Sequence, residues 1–442
     1  MGTDDGRQER QEPVSRRRFL TRAVLAGAAG LSIPAALWAS RPDGGSRAQT
    51  SATGERTSPS DAQPSPSAEP SASGVSGFAW EEQEITGSFT FANWPYYIDR
   101  TQGNGHPSLD RFSGSTSIDV AYRRPIRGNA RFLEKIRPAL EAGDPIGYDL
   151  IVMTNGPELS TMMREGWLLP LPAERLPTFD LHAAQFVRDP PWDPGNGFTA
   201  AWQSGLTGLA YRPEAVAALG RTPRSVQDLW DPALKGHVGM MEDLQDLGGV
   251  ALLSMGVDPP SSTPADWEGA SARLRDQQDA GIVRGYYDQA YVGALKRGDV
   301  WLCQAWSGDI FQLNATGSPE LRFVVPDEGA LLWTDNMAIP ANAEHPLDAL
   351  TYMDFVYQPR IAALIADWVG YISPVPEAAQ VVRDRLHDPA VARSPLVFPR
   401  DRALGPGEGF TSYYAFKSAL EEQEWDRLFA PIATPDSTTA SS

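Results

Sequence analysis

The feature that most constrains the fold is a long alternation of strand-like and helix-like segments that begins near residue 85. Short apolar or alternating runs predict strands, and three- to four-residue apolar spacing or a Pro-containing helix start predicts helices. The predicted strands are residues 88–91, 118–122, 149–153, 300–305 and 322–325, and the predicted helices include 130–140, 346–357, 361–369 and one that starts at Thr263-Pro264-Ala265-Asp266. This alternation favours an α/β fold with mostly parallel sheets covered by helices. In such folds ligands bind at the carboxyl ends of strands, and between lobes when there are two.

The N-terminus carries an export-like signal. Ser15-Arg16-Arg17-Arg18-Phe19-Leu20 precedes a weakly apolar run over residues 23–39, the order of a twin-arginine signal. We assign residues 1–48 to this signal region and predict a periplasmic or cell-surface location. A basic leader or a short membrane anchor is the competing interpretation. Whether the signal is cleaved, or is retained as a tether, is left open by its imperfect small-residue sites.

A spacer, a two-lobed body and a short tail follow the signal region. Residues 40–76 are dominated by Ser, Pro, Thr, Ala and Gly, which cannot bury a core. We therefore predict a disordered linker over residues 49–79. The rest is long enough for two lobes of ordinary size. The predicted organisation is lobe 1 from residues 80–200 and 336–375, lobe 2 from 201–335 and 376–434, and a tail over 435–442.

The charge balance excludes some partners. The chain has 38 basic and 56 acidic residues, of which residues 1–48 hold 8 and 5. The remainder, with 30 basic and 51 acidic residues, has a net charge of −21. This argues against nucleic acid and anionic membrane surfaces as partners and favours the attraction of cationic ligands, although solubility alone would also account for it.

The sequence lacks the common signatures of enzymes and metal sites. No Gly-x-Ser-x-Gly elbow, Walker loop or His-Glu-x-x-His helix is present, and the five histidines are scattered. The single cysteine, Cys303, cannot form an internal disulfide and is most simply a buried residue on a strand. We therefore predict no catalytic residues, no metal and no cofactor.

One segment predicts a site for an organic cation. Trp333 and Asp335 are two positions apart at the start of an apolar run, so on a strand they share a face. An indole face attracts a cation and covers its methylenes, and a neighbouring carboxylate neutralises the charge. Comparable residues follow other predicted strands: the aromatics Trp94, Tyr97, Trp306 and Tyr371, and the carboxylates Asp243, Asp246 and Asp309. Core packing is the alternative for each aromatic, and helix capping is the alternative for these three carboxylates.

Taken in order, several short segments resemble one known family. The matching pieces are Asn93-Trp94-Pro95-Tyr96-Tyr97, Tyr148-Asp149-Leu150-Ile151-Val152, Asp228-Leu229-Trp230, Leu234-Lys235-Gly236, Pro326-Asp327-Glu328-Gly329, Trp333-Thr334-Asp335, Ile339-Pro340-Ala341-Asn342-Ala343 and Gly370-Tyr371. From about residue 85 to 432 the chain resembles the extracytoplasmic spermidine/putrescine-binding proteins of ABC importers. The resemblance implies a two-lobed periplasmic-binding-protein fold of type II, with the cleft between the lobes. It also implies a polyamine ligand and a membrane permease as partner, and we expect a monomer.

The resemblance also implies roles for individual residues. The aromatics Trp94, Tyr97, Trp306, Trp333 and Tyr371 would wall the cleft; Asp335 would meet an amine inside the ligand; Asp243 and Asp246 would meet a terminal amine; Asp309 would match an Asp of some putrescine binders; and Thr154 would replace a small hydroxyl residue. Two positions depart from the family. Gly156 stands where spermidine binders often have a further aromatic, and no polar glutamine aligns near Phe410.

These observations predict capture of putrescine or spermidine for import. The rival functions are an extracellular glycan-active enzyme, because aromatics with paired carboxylates also describe a glycosidase cleft, and the binding of another solute on the same scaffold.

Overall fold

The structure, a computed structural model, describes residues 77–101, 103–315, 321–399 and 410–434. The predicted signal region, nearly all of the predicted linker and the predicted tail lie outside these residues. The strands are β1 (Ser88–Ala92), β2 (Asp119–Arg123), β3 (Leu150–Thr154), β4 (Thr199–Tyr211), β5 (Val238–Met241), β6 (Val283–Tyr287), β7 (Leu302–Trp306), β8 (Arg322–Val324), β9 (Ala330–Ala338) and β10 (Phe410–Ser412).

Helices separate most of these strands along the chain. They are α1 (Pro107–Thr116), α2 (Asn129–Ala142), α3 (Pro157–Arg164), α4 (Pro177–His182), α5 (Pro213–Leu219), α6 (Leu244–Ser254), α7 (Pro264–Asp279), α8 (Tyr291–Arg297), α9 (Ser307–Ala315), α10 (Pro346–Phe355), α11 (Pro359–Val369), α12 (Ala378–Val381), α13 (Pro389–Ala392) and α14 (Ala419–Ala433). The predicted start of α7 is confirmed, because Thr263 and Asp266 form a reciprocal capping box. No helix in the described ranges combines the length and apolar character needed to cross a membrane.

The sheet has the order β2-β1-β3-β9-β4-β7-β5-β6, with β10 beside β9 and β8 beside β4. The sheet is parallel within each half, as predicted, and becomes mixed where the halves meet. Strands β1, β2 and β3 are parallel to one another, as are β5, β6 and β7, but β9 is antiparallel to β3 and β4, and β4 is antiparallel to β7 and β8. Strand β4 was not predicted, since a strand buried on both faces lacks the alternation that marks a half-buried strand.

Strands β4 and β9 form an antiparallel pair that joins two α/β halves. One half pairs with β9 through β3, and the other pairs with β4 through β7. Register places Thr154, the last residue of β3, opposite Asp335 on β9, and Trp306, the last residue of β7, opposite Thr207 on β4. The carboxyl ends of the parallel strands in both halves therefore converge on the middle of the β4–β9 pair. This convergence creates the edge at which α/β folds bind ligands.

The core explains why the two central strands hold their position. All nine residues of β9 and twelve of the thirteen residues of β4 are buried. Cys303 lies on β7, buried and free, as predicted from its apolar neighbours. Large aromatics that the cleft does not use, including Trp202, Trp267 and Trp425, are at most 1% exposed and pack into the main core.

Candidate functional site

A cavity of about 540 Å³ lies where the strand ends of the two halves converge. Its volume is in the range of small-molecule sites. All ten residues predicted from the sequence line it: Trp94, Tyr97, Thr154, Asp243, Asp246, Trp306, Asp309, Trp333, Asp335 and Tyr371. They come from segments that are far apart in sequence, and their convergence follows from the sheet order rather than from local pattern.

The aromatic residues form a connected wall of differently tilted rings. The centroids of Trp306 and Trp333 are 6.3 Å apart, those of Trp333 and Tyr371 are 5.5 Å apart, and those of Tyr97 and Tyr371 are 5.2 Å apart. Trp94 is held by a 3.2 Å hydrogen bond from its Nε1 to the Val152 carbonyl oxygen. The same rings therefore pack against one another and also line the cavity.

Two glycines make room for this wall. A Cβ on Gly205, which pairs with Trp333 across the β4–β9 ladder, would lie 2.3 Å from Cζ2 of that indole. A Cβ on Gly308 would lie 2.3 Å from Cε2 of Tyr371. Both distances are shorter than any van der Waals contact, so the ring positions require the absence of a side chain at these two sites.

We expect Gly205→Ala to lower stability by about 1–3 kcal/mol and to weaken ligand binding, because the added methyl group must displace the Trp333 indole. Gly114→Ala is the matched control, since a Cβ at Gly114 meets nothing within 4 Å and alanine favours the interior of α1. Chemical denaturation and calorimetric titration measure the two effects. A Gly205→Ala protein as stable as the control would contradict the tight packing.

Asp335 lines the cavity from β9, opposite Thr154. Its carboxylate accepts a 2.6 Å hydrogen bond from the Thr154 hydroxyl, and it is 4% exposed. Burial and, to a smaller extent, the negative charge of Asp243 raise the pKa of Asp335 to about 6, against the opposing effect of hydrogen bonds. The Tyr97 hydroxyl is buried beside the Asp335 carboxylate and, with the Thr154 hydroxyl, lowers the pKa of that group.

Asp243 and Asp246 lie at the start of α6. Asp243 caps the helix, as the alternative interpretation required, by accepting bonds of 3.0 and 3.1 Å from the backbone N–H groups of Gln245 and Asp246. Asp246 is instead bound by side chains, since Trp306 Nε1 donates to it at 2.8 Å and the Tyr413 hydroxyl donates at 2.5 Å. Burial and then the charge of Asp243 raise the pKa of Asp246 to about 7. Asp243 therefore both caps α6 and lines the cavity.

Asp309 faces the cavity, and its observed partners are side chains. Its carboxylate accepts hydrogen bonds of 3.1 Å from the hydroxyls of Tyr291 and Tyr371, and one of 3.2 Å from Gln289 Nε2. Asp309 therefore does not serve only as a helix cap. Burial raises the pKa of Asp309, and the three hydrogen bonds partly lower it.

These four carboxylates have no cationic partner in the described part of the chain. Arg127 and Arg131 line the cavity, but neither forms an ion pair with these carboxylates in the described ranges; the Arg131 guanidinium is instead 2.8 Å from Glu242 and 3.7 Å from Asp288. A buried carboxylate without a counterion is unfavourable, and this cost is relieved by a bound cation. The cavity is therefore built to hold an apolar chain that carries more than one positive charge.

Sequence reasoning missed several lining residues. Tyr413 and Gln289 support the predicted carboxylates, Glu158 adds a further carboxylate, and Tyr96 adds an exposed ring at the cavity margin. Tyr413 follows β10, a three-residue strand too short to give a periodic signal. Its position after Phe410 is where no polar glutamine could be aligned. Glu158 had a signal that we did not use, since it follows Thr154 and Gly156 at the end of a buried strand.

Comparisons with known proteins agree with this geometry. The "Spermidine/putrescine-binding periplasmic protein" of Salmonella typhimurium is 26% identical over 341 residues, which is 77% of this chain and 91% of that protein. The "Putrescine/cadaverine-binding protein" of Pseudomonas aeruginosa is 28% identical over 303 residues, 66% of this chain and 81% of that one.

A solved structure shares the fold. The spermidine/putrescine ABC transporter substrate-binding protein PotD of Streptococcus pneumoniae superposes with a TM-score of 0.63 at 22% identity, covering 78% of this chain and 98% of that one. The prediction of an α/β, two-lobed, type II periplasmic-binding-protein fold with its cleft between the lobes is confirmed. The family model described as "Bacterial extracellular solute-binding protein" matches residues 115–399, more than half of the sequence. On this match, and with a cleft built at the converging strand ends of two α/β halves, the chain belongs to the bacterial extracellular solute-binding proteins.

Proposed function

We propose that this protein captures a polyamine, putrescine or spermidine, outside the cytoplasm and delivers it to the permease of an ABC importer. The observation that carries the proposal is the set of four carboxylates, Asp243, Asp246, Asp309 and Asp335, that line an aromatic-walled cavity without a cationic partner in the described ranges. A polyamine supplies what the cavity lacks, since it places ammonium groups at intervals along a flexible chain of methylenes.

The expected affinity is consistent with these groups. Cation–π contacts contribute about 0.5–2 kcal/mol each, and micromolar binding requires about −8 kcal/mol in total. Several aromatic walls and two or more ion pairs in a site that excludes water supply this much. The names of the two relatives described above, both polyamine binders, support the same ligand class.

Calorimetric titration at pH 8 with putrescine, spermidine and spermine tests the proposal. We expect micromolar or tighter binding of at least one amine, and no binding of a neutral sugar. A chain that bound none of the three amines would refute the polyamine function and would favour another solute on the same scaffold. The glycan-active enzyme is not favoured, because the family is one of solute binders; incubation with glycans without turnover would complete that comparison.

We further propose that the halves close on the ligand as two lobes, residues 80–200 with 336–375 and residues 201–335 with 376–434. Ion pairs between the halves support this. Arg131 of α2 reaches Glu242 after β5, and Arg164 of α3 binds Glu422 of α14 through two hydrogen bonds of 3.0 Å. We expect small-angle scattering to give a smaller radius of gyration with spermidine than without it. Identical curves would contradict closure while leaving binding intact.

We expect Asp309→Ser to weaken putrescine more than spermidine, by about 1 kcal/mol or more. We propose that Asp309 pairs with one ammonium group of a short diamine, which depends on it, whereas a longer ligand has other carboxylate partners. Titration of both ligands measures the difference. Equal losses for both ligands, together with a lowered melting temperature of the free protein, would indicate that Asp309 supports only the network of Tyr291, Tyr371 and Gln289.

The cellular setting follows from the same proposal. An extracytoplasmic location agrees with the family and with the periplasmic relatives. We propose export through the twin-arginine signal in residues 1–48, a monomeric state and a membrane permease as partner. We also propose that the protein neither binds nucleic acid nor acts as an enzyme. Replacement of Arg16 and Arg17 by lysine followed by fractionation tests the export route, and retention of the protein in the cytoplasm is the expected result.

A further inference from the structure

We propose that Glu158, together with Asp243, forms an additional ammonium position in the cleft beside the start of α6, and that this position favours triamines and longer polyamines over diamines. The inference rests on the proposed function and deepens it, since it names the ligand length that the cleft selects.

The position of Glu158 is set by the turn after β3. Gly156 caps α3, Pro157 occupies the first helical position, and Glu158 follows in the first turn, where its side chain lines the cavity. A Cβ on Gly156 would be 3.9 Å from Glu158 Oε2 and 4.0 Å from Cγ of Gln245, a residue of the other half. The cleft therefore continues between Glu158 and the start of α6, and the missing side chain at Gly156 leaves this end open.

The electrostatic neighbours of Glu158 are acidic. Burial, followed by the charges of Asp243, Asp426 and Glu422, raises the pKa of Glu158 to about 7. In the described part of the chain no Lys or Arg is paired with Glu158. A glutamate in a first helical turn is ordinarily stabilised by the helix dipole. Here the surrounding carboxylates oppose that stabilisation, and a bound cation would relieve the repulsion.

The carboxylates line two parts of the cleft. The Tyr371 hydroxyl donates to Asp309, and its ring packs against Trp333, two residues from Asp335. Asp243 and Glu158 instead lie beside Gln245 at the start of α6. A diamine occupies two such positions, at Asp309 and Asp335. A longer amine that occupies the same two positions extends its next ammonium toward Asp243 and Glu158.

The volume of the cavity agrees with this arrangement. A water molecule takes about 30 Å³ of liquid, and the cavity of about 540 Å³ therefore has room for on the order of 18 water-sized groups. A four-carbon diamine fills only part of that space. Gly156 and Glu158 line the same cavity, so a longer amine has space to reach them.

The test is titration of the full chain with putrescine, spermidine and spermine at pH 8, for the parent protein, Glu158→Gln and Glu158→Asp. Glu134→Gln is the control, because Glu134 is exposed on α2 and does not line the cavity. We expect Glu158→Gln to weaken spermidine and spermine by about 10-fold and putrescine by less than 2-fold, a loss typical of one charged partner. Glu158→Asp should retain most of the affinity, and the control should match the parent.

Equal losses for all three amines, or no loss, would overturn the inference and leave Glu158 as a residue of the α3 first turn. Salt dependence gives a second readout, since removal of one ion pair should reduce the loss of spermidine affinity between low and high salt. A parent protein that binds no amine would refute the proposed function itself, which is a different result from amine binding that Glu158→Gln leaves unchanged.

Discussion

Asp335→Asn should reduce polyamine affinity by about 2–5 kcal/mol, or roughly 30- to 5000-fold, because it removes a carboxylate from a desolvated ion pair. The asparagine side chain has nearly the same shape, and its amide oxygen can still accept the hydrogen bond of the Thr154 hydroxyl. The loss should therefore come from the missing charge rather than from repacking. Calorimetric titration with spermidine measures it.

The same substitution should stabilise the ligand-free protein. Asp335 has a folded-state pKa of about 6 against an ordinary value of 3.8, so its ionised form costs up to about 3 kcal/mol at pH 8. The neutral amide avoids that cost, and the melting temperature of the free protein should rise while binding is lost. Asp119→Asn, on an exposed position of β2, is the control for loss of one acidic charge. A variant that titrates like the parent would refute the role of Asp335.

Affinity for spermidine should fall steeply as the pH is lowered. In the free protein the pKa of Asp335 is about 6 and that of Asp246 is about 7. Both carboxyl groups must be ionised to pair with ammonium groups. At low pH they carry protons, which must be released before the ligand can bind. If both groups are required, the dissociation constant should rise about 20-fold from pH 8 to pH 6, and roughly 1000-fold to pH 5.

The free energy of unfolding of the ligand-free protein should instead rise as the pH is lowered. A carboxyl whose folded pKa is raised contributes stability at low pH, and this contribution is lost as pH rises through the folded value, here between about 4 and 7. The increase in melting temperature caused by spermidine should therefore be larger at pH 8 than at pH 5. A ligand-induced increase that is equal at the two pH values, or larger at pH 5, would contradict the assignment of these carboxylates to the cleft.

Local patterns in the sequence determined several elements of the fold and part of the cleft. Strand β3 and helix α7 were predictable, because a short apolar run and a capping box report interactions between neighbours in the chain. The pair Trp333 and Asp335 was also predictable, because a strand places alternate residues on one face. Beyond these, the resemblance to a known family indicated the ten lining residues, and the structure places all of them around one cavity.

Only the tertiary structure decided which groups meet. Strand β4, buried on both faces, gave no alternating signal, and it supplies Gly205, without which the Trp333 indole could not lie where it does. Tyr413 binds Asp246 across 167 residues of sequence, and Tyr371 binds Asp309 across 62. Such contacts depend on strand order and on the antiparallel register of β4 and β9, which are set by packing between distant segments. For that reason the sequence alone determined the kinds of residue in the cleft, and the fold determined that Asp309 is a cleft carboxylate rather than a helix cap.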